Sequence, residues 1–154
     1  MIDIFDVADW FLSKESMIHK KLQKLCYYAQ AWYLVFNQQK PLFDGSFEAW
    51  AHGPVNRELW NELKDWGYTV IPQNELRGDK RAKLDANAIT VLERVWDTYG
   101  EMTGFQLEDQ THEEEPWLEA RGGLPYYAPS NSKISEKTMY RYYKSQYSGD
   151  GVGE

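Results

Sequence analysis

The chain has 154 residues, 42% of them hydrophobic and 16% aromatic, with a net charge of −7 and a pI near 5.0. This length and composition support a hydrophobic core, which excludes disorder over most of the chain and predicts a single domain over residues 1–147. The negative charge opposes binding to a phosphate backbone or an anionic membrane surface, so nucleic-acid and membrane partners are not expected.

Cysteine usage and the N-terminal residues favour a cytoplasmic location. Cys26 is the single cysteine, which excludes an intramolecular disulfide bond. Asp3 and Asp6 stand where a secretory signal would carry basic residues. The sequence also has no apolar run near the length of about 20 residues that a membrane-spanning helix needs.

Two amphipathic helices are predicted at the start of the chain. Asp3 is suited to cap the first, which ends near Lys14, and Ser16 is suited to cap the second. Apolar residues recur along the second helix at spacings of three and four and form its predicted core face: Leu22, Leu25, Ala29, Trp32 and Phe36. The opposite, solvent face is expected to carry three lysines: Lys20, Lys21 and Lys24.

A reversal of the chain is predicted after the second helix. Pro41 ends that helix, and Asp44-Gly45 predicts a hairpin turn because both residues tolerate a positive φ. A short apolar strand then runs from Phe47 to Trp50. Residues 22–60, which include this reversal, are expected to organise the rest of the fold.

A third helix and a second strand follow. The helix is expected to open at Gly53-Pro54, since proline suits the first turn of a helix, and to end at Gly67. The β-branched segment Tyr68–Ile71 predicts a strand that pairs with residues 47–50.

Four more helices are predicted in the second half of the chain, each from a residue suited to its first turn: Asp85, Thr103, Pro116 and Ser135. Residues 74–83 and 122–133 are predicted to be surface loops, and residues 148–154 a disordered acidic tail. The elements together predict a mainly α fold. We expect a single compact domain of six to seven helices with a small β-hairpin or short antiparallel sheet.

Candidate chemical groups are few. The three histidines and one cysteine show no metal-ligand spacing, so neither a metal nor a cofactor is expected. His52 is expected to fix a loop, and Glu113–Glu115 are expected to keep His112 protonated. The alternative is a small hydrolase or transferase that uses Glu48, His52 and His112 around the helix start at Gly53-Pro54.

Aromatic residues have two expected uses. Most tryptophans fall on inward positions and are expected in the core: Trp32, Trp50, Trp60, Trp96 and Trp117. The tyrosines near the C-terminus exceed what a small core needs. Because tyrosine is enriched at protein interfaces, five of them are predicted to form a partner-binding surface: Tyr126, Tyr127, Tyr140, Tyr143 and Tyr147.

Three segments carry a family resemblance: KLQKLCYYAQAWYL, PLFDGSFEAWAHGPVNRELW and THEEEPWLEAR. Together they resemble the SocA-like antitoxin family, also called the Panacea domain, over about residues 4–145. The positions that match the family motif are Leu22, Lys24, Leu25, Tyr28, Glu48, Trp50, His52, Gly53, Pro54, His112, Pro116 and Trp117.

The resemblance implies a mainly helical antitoxin without catalytic residues. Such a protein neutralises a cognate toxin encoded by an adjacent gene, generally by direct binding. One member of the family delivers its toxin to a Clp-type protease, so a protease is a second implied partner. A transcriptional autoregulator is a further alternative, which the acidic balance of this chain disfavours.

Overall fold

The structure, a computed structural model, describes residues 2–76 and 83–149. Seven α-helices lie in these residues: α1 (Ile4–Leu12), α2 (His19–Phe36), α3 (Arg57–Leu63), α4 (Ala86–Tyr99), α5 (Gly104–Thr111), α6 (Glu115–Arg121) and α7 (Glu136–Gly149). Two antiparallel strands, β1 (Glu48–Trp50) and β2 (Gly53–Val55), precede α3. The predicted mainly α fold with a small antiparallel sheet is therefore confirmed.

Helix α2 lies at the centre of the molecule. Helices α1, α4, α5 and α7 all pack against it, as does β2. From residue 19 to residue 31 every residue except Lys20 is buried, and the side chain of Lys20 is only 7% exposed, so this part of α2 has no solvent face. The prediction that Lys21 and Lys24 point to solvent is therefore wrong, because neighbouring elements cover α2 on all sides.

Buried polar side chains of α2 bind the backbone of the segments around it. The side-chain amide of Gln23 pairs with both backbone groups of Asn56. Gln23 Oε1 accepts from Asn56 N at 2.9 Å, and Gln23 Nε2 donates to Asn56 O at 3.2 Å. Gln30 makes the equivalent pair with Leu42 N and Phe43 O, at 2.7 Å and 2.8 Å. These bonds satisfy backbone groups of the buried segments around α2; Asn56 O in addition accepts from Trp60 N.

The hairpin lies seven residues later than its predicted turn. Ala51 and His52 form the turn between β1 and β2, in which Ala49 pairs with Pro54. The prediction of a hairpin at Asp44-Gly45 is wrong, because Gln30 takes the backbone groups of the preceding segment. The predicted start of α3 at Gly53-Pro54 is also wrong: those residues belong to β2, and Asn56 caps α3 by accepting from Leu59 N at 2.9 Å.

The segment Tyr68–Ile71 does not pair with β1. Ile71 instead forms an isolated bridge with Met17, with N–O distances of 2.8 Å and 3.2 Å. The free edge of β1 is covered by the chain before α7, where Ala49 N donates to Ser132 O at 2.8 Å. Strand propensity predicted an extended conformation at Ile71, but it carries no information on the pairing partner.

Helix caps are the best predicted local features. Asp3, Asp85 and Thr103 each accept a backbone N–H in the first turn of their helix, and Ser135 accepts from Thr138 N. Ser16 is the exception. Helix α2 begins at His19, and Ser16 Oγ accepts from Gln73 N instead.

Two predicted segments fall partly outside the described residues. Residues 77–82 of the basic loop lie outside them, as do residues 150–154 of the predicted tail. Residues 148 and 149 belong to α7, so the tail does not begin at 148. None of the described helices combines the length and apolar character needed to cross a bilayer.

Candidate partner-binding surface

The loop after α6, residues 122–128, carries the most exposed aromatic pair among the described residues, and we call it the aromatic loop. Gly122 ends α6 in the left-handed conformation, with φ of 60°. The side chains of Tyr126 and Tyr127 are 67% and 73% exposed, and their rings meet edge to face at 5.7 Å. Exposed rings of this size are more typical of binding surfaces than of solvated loops.

Arg121 holds the aromatic loop in place from below. Its Nη2 donates to three carbonyl oxygens of the loop, those of Pro125 (2.7 Å), Tyr126 (3.2 Å) and Ala128 (2.6 Å). Its Nη1 donates to Ala49 O in β1 at 2.9 Å. The buried guanidinium therefore ties the loop to the sheet, and the loop backbone needs little further ordering when a partner binds.

The tyrosines of α7 divide between the surface and the core. Tyr140 and Tyr147 are half-buried, and the Tyr147 ring packs edge-on against Phe36 at 5.3 Å. Tyr143 is buried, so its predicted place on the partner surface is wrong. The helical spacing of α7 turns Tyr143 inward, where its hydroxyl donates to Glu114 Oε1 at 2.6 Å.

Glu114 is the acceptor at the centre of a buried hydroxyl network. Its Oε1 accepts from Tyr143 and also from Tyr28 in α2, at 2.8 Å, while Gln110 donates to its Oε2. Burial raises the pKa of Glu114 despite these hydrogen bonds, which favour the ionised form. The network joins α2 to α7, so Tyr28 and Tyr143 act in the scaffold.

Most of the remaining family-motif residues also join elements of the scaffold. Leu22, Leu25 and Trp117 lie in the core, and Trp117 Nε1 donates to Trp50 O at 2.8 Å. His112 stacks on Trp117 with ring centroids 4.2 Å apart. Its Nε2 lies 2.9 Å from Ala51 O and donates to it, which fixes the hairpin turn against α5 and α6.

The expectation that His112 is protonated is wrong. Burial lowers its pKa, and this effect outweighs the attraction of Glu108, whose carboxylate lies 4.0 Å from His112 Nε2. Of the three acidic residues 113–115, Glu114 turns inward to the tyrosines. Local sequence charge therefore did not determine the protonation of this imidazole.

The three residues of the hydrolase alternative do not meet. His52 and His112 both approach Glu108, at 3.3 Å and 4.0 Å. Glu48 is held elsewhere by Arg57, at 2.9 Å, and by Trp50 Nε1, at 2.8 Å. Within the described part of the chain, no three His, Cys, Asp or Glu residues are grouped as metal ligands.

Sequence patterns do not predict the roles of Arg121 and Lys24. An arginine before Gly122-Gly123 at a helix end is suited to bind loop carbonyls, and this is the one local signal for Arg121. For Lys24, helical periodicity predicts exposure to solvent and gives no signal that a central helix buries its polar side.

Comparison with known proteins gives one family and one curated relative. The profile of the family described as antitoxin SocA-like, Panacea domain, matches residues 22–118. Antitoxin SocA of Caulobacter vibrioides (strain NA1000 / CB15N) is 30% identical over 124 residues, which cover 72% of this chain and 65% of the relative. The chain thus spans slightly less than two thirds of the relative's length. No solved structure matches the chain.

Proposed function

Because this chain belongs to the antitoxin SocA-like, Panacea domain family, we propose that it is a cytoplasmic antitoxin that neutralises a cognate protein toxin by direct binding. The name of the relative from Caulobacter vibrioides supports the antitoxin role. The toxin is expected to be the product of the adjacent gene. Catalysis by this chain is not part of the proposal.

The aromatic loop is the observation that carries direct binding. Tyr126 and Tyr127 present two large amphipathic side chains to solvent, and tyrosines in such positions often supply most of the binding energy of an interface. Because Arg121 already holds the loop backbone, binding of a partner would fix few additional backbone torsion angles. A toxin that covers both rings would bury them with little loss of conformational entropy.

The charge of the chain indicates a basic partner surface. Besides the net charge of −7, an open groove of about 460 Å³ lies along α5 and the turn before α6, and its lining includes Asp109 and Glu113. Such a field accelerates encounter with a positively charged protein and weakens as ionic strength rises. We therefore expect the association rate constant of the complex to fall with added salt.

Co-expression with the product of the adjacent gene tests the proposal. Cells that express this product alone should stop growing, and expression of the chain should restore growth. The two proteins should then elute together from a sizing column. Persistent growth arrest, with separate elution of the two purified proteins, would contradict the proposal.

The same cells distinguish occlusion of the toxin from delivery to a Clp-type protease. Under occlusion, the toxin level is unchanged by the antitoxin, and rescue persists in cells that lack the protease. Under delivery, the toxin half-life shortens when the antitoxin is present, and rescue needs the protease.

A further inference from the structure

A second surface feature, independent of the aromatic loop, is a cavity of about 210 Å³ beside the hairpin and α2, which we call the lysine cavity. Three lysines line it: Lys20 and Lys24 from α2, and Lys64 from the turn after α3. The indole rings of Trp50 and Trp60, 5.3 Å apart and edge to face, form one wall. A cluster of cations of this kind is unexpected in so acidic a chain.

Lys24 is the most unusual member of the cavity. Its side chain is 2% exposed, yet its ammonium group makes no hydrogen bond and no ion pair with any residue that the structure describes. Burial, with a smaller contribution from Lys20, lowers the pKa of Lys24 to about 7. Its Nζ atom is not among the fully buried unpaired atoms of the described residues, so it reaches the surface of the cavity, where an anion can approach it.

Gly53 leaves the space that Lys24 occupies. Its φ is +104°, and a Cβ atom at this position would lie 2.6 Å from Lys24 Cε and 3.2 Å from Lys24 Nζ. The positive φ favours glycine, and an added Cβ would in addition force the end of the Lys24 side chain to shift. The hairpin and α2 together bring the ammonium group to the cavity.

The neighbouring charges leave the cavity positive. Glu108 bonds to Lys20 and lies 3.3 Å from His52 Nδ1, so its carboxylate is already shared. Burial lowers the pKa of His19 to about 4, so this imidazole is neutral at physiological pH. Lys64 thus remains without an ion pair among the described residues, and Lys24, whose pKa is lowered to about 7, is attracted only by the shared Glu108 carboxylate.

We propose that the lysine cavity binds the phosphate group of a small molecule, with Lys24 as its principal donor. Lysine binds phosphate as a point charge with three N–H donors, and three lysines line the cavity. The volume is below the 300–1,000 Å³ or so of pockets for larger ligands. Trp50 and Trp60 can contact the substituent of a phosphate ester.

Titration calorimetry of the full chain at low ionic strength tests the site, with inorganic phosphate, AMP and adenosine as probes. Phosphate should bind the wild type, and Lys24→Met should weaken binding by about tenfold or more, as expected for loss of a charge-assisted hydrogen bond. Equal affinity of AMP and phosphate would identify free phosphate as the ligand, and tighter binding of AMP would identify a phosphate ester; both support the site.

Lys21→Met is the matched control, because Lys21 is a buried lysine of the same helix whose Nζ donates to Gly100 O at 2.6 Å, away from the lysine cavity. It should leave phosphate binding unchanged. If Lys24→Met fails to fold, Lys64→Met provides the test, because Lys64 is exposed. This variant should weaken phosphate binding by a smaller factor. The proposal is overturned if the wild type does not bind phosphate at about 10 mM, if Lys24→Met or folded Lys64→Met binds as tightly as the wild type, or if adenosine binds as well as AMP.

Discussion

Replacing Lys24 with methionine should change how the stability of the protein depends on pH. Methionine keeps a long apolar side chain in the buried position but removes the amine. The folded chain lowers the pKa of Lys24 from 10.5 to about 7. At 1.36 kcal/mol per pKa unit, this difference corresponds to about 5 kcal/mol of destabilisation when the buried amine is charged.

The difference in proton binding between the folded and unfolded chains determines whether stability rises or falls with pH. Between pH 7 and 10.5 the unfolded chain holds a proton on Lys24 that the folded chain has released. The free energy of unfolding therefore rises with pH in this window, by up to about 1.36 kcal/mol per pH unit. Below pH 7 both states are protonated, and the destabilisation by the buried charge is present in full.

Urea unfolding of the wild type and Lys24→Met at about pH 6.5 and about pH 8.5 measures the effect. Between these values the wild type should gain about 2 kcal/mol relative to Lys24→Met. Higher pH is avoided, because the unfolded chain then begins to release protons from tyrosines, such as Tyr143, that keep them when buried, and this acts in the opposite direction. A difference between the two proteins that stays constant with pH would refute the reasoning.

Three further predictions concern single contacts and are tested by chemical denaturation. Burial raises the pKa of Glu114, so between pH 4.5 and this raised pKa the folded chain holds a proton that the unfolded chain has released. The wild type should therefore lose stability relative to Glu114→Gln as pH rises through this range. A stability difference that stays constant with pH would show that Glu114 is not the cause. Gly53→Ala should destabilise the fold by about 1–3 kcal/mol through strain and the contact with Lys24. Gly122→Ala, with a positive φ but no described atom within 4 Å of its added Cβ, should cost less, and equal losses would argue against the contact. Gln23→Leu leaves the Asn56 N–H unpaired, whereas Asn56 O keeps its bond from Trp60 N, so the variant should destabilise the fold by roughly 1–3 kcal/mol; a loss below about 0.5 kcal/mol would contradict this reasoning.

Local rules predicted the helices well because their signals lie within a few residues. Asp85 and Thr103 begin helices by accepting N–H groups three residues ahead, and both do so in the structure. The apolar spacing of α2 placed Leu22 and Leu25 correctly in the core. These features depend on backbone geometry that every helix shares.

Tertiary context decided the features that were predicted wrongly. Lys21 and Lys24 have the spacing of a solvent face, but other elements surround α2. Lys21 Nζ donates to Gly100 O, and Lys24 lines the lysine cavity. The hairpin at Ala51-His52 has no strong turn sequence, whereas Asp44-Gly45 has one and forms no hairpin because Gln30 binds the preceding segment. Such partners are distant in sequence and cannot be read from a local pattern.

The sequence predicted the exposure of some of the tyrosines but not of all of them. Tyr126 and Tyr127 lie in a loop rich in turn residues, which correctly predicted their exposure. Tyr143 required knowledge of which face of α7 meets α2 and Glu114. The role of Arg121 depends on four carbonyl groups from two segments, and no sequence spacing brings these together.

The affinity of the purified chain for the purified product of the adjacent gene, measured by titration calorimetry, tests direct binding through the aromatic loop. Substituting alanine for both Tyr126 and Tyr127 leaves the carbonyl groups that Arg121 binds, so the loop backbone should persist. The control is Tyr68→Ala, a tyrosine that is 63% exposed and lies outside the loop. The double variant should bind at least about 30-fold more weakly than the wild type, and Tyr68→Ala within about threefold of it. Equal affinity of the double variant and the wild type would contradict the account.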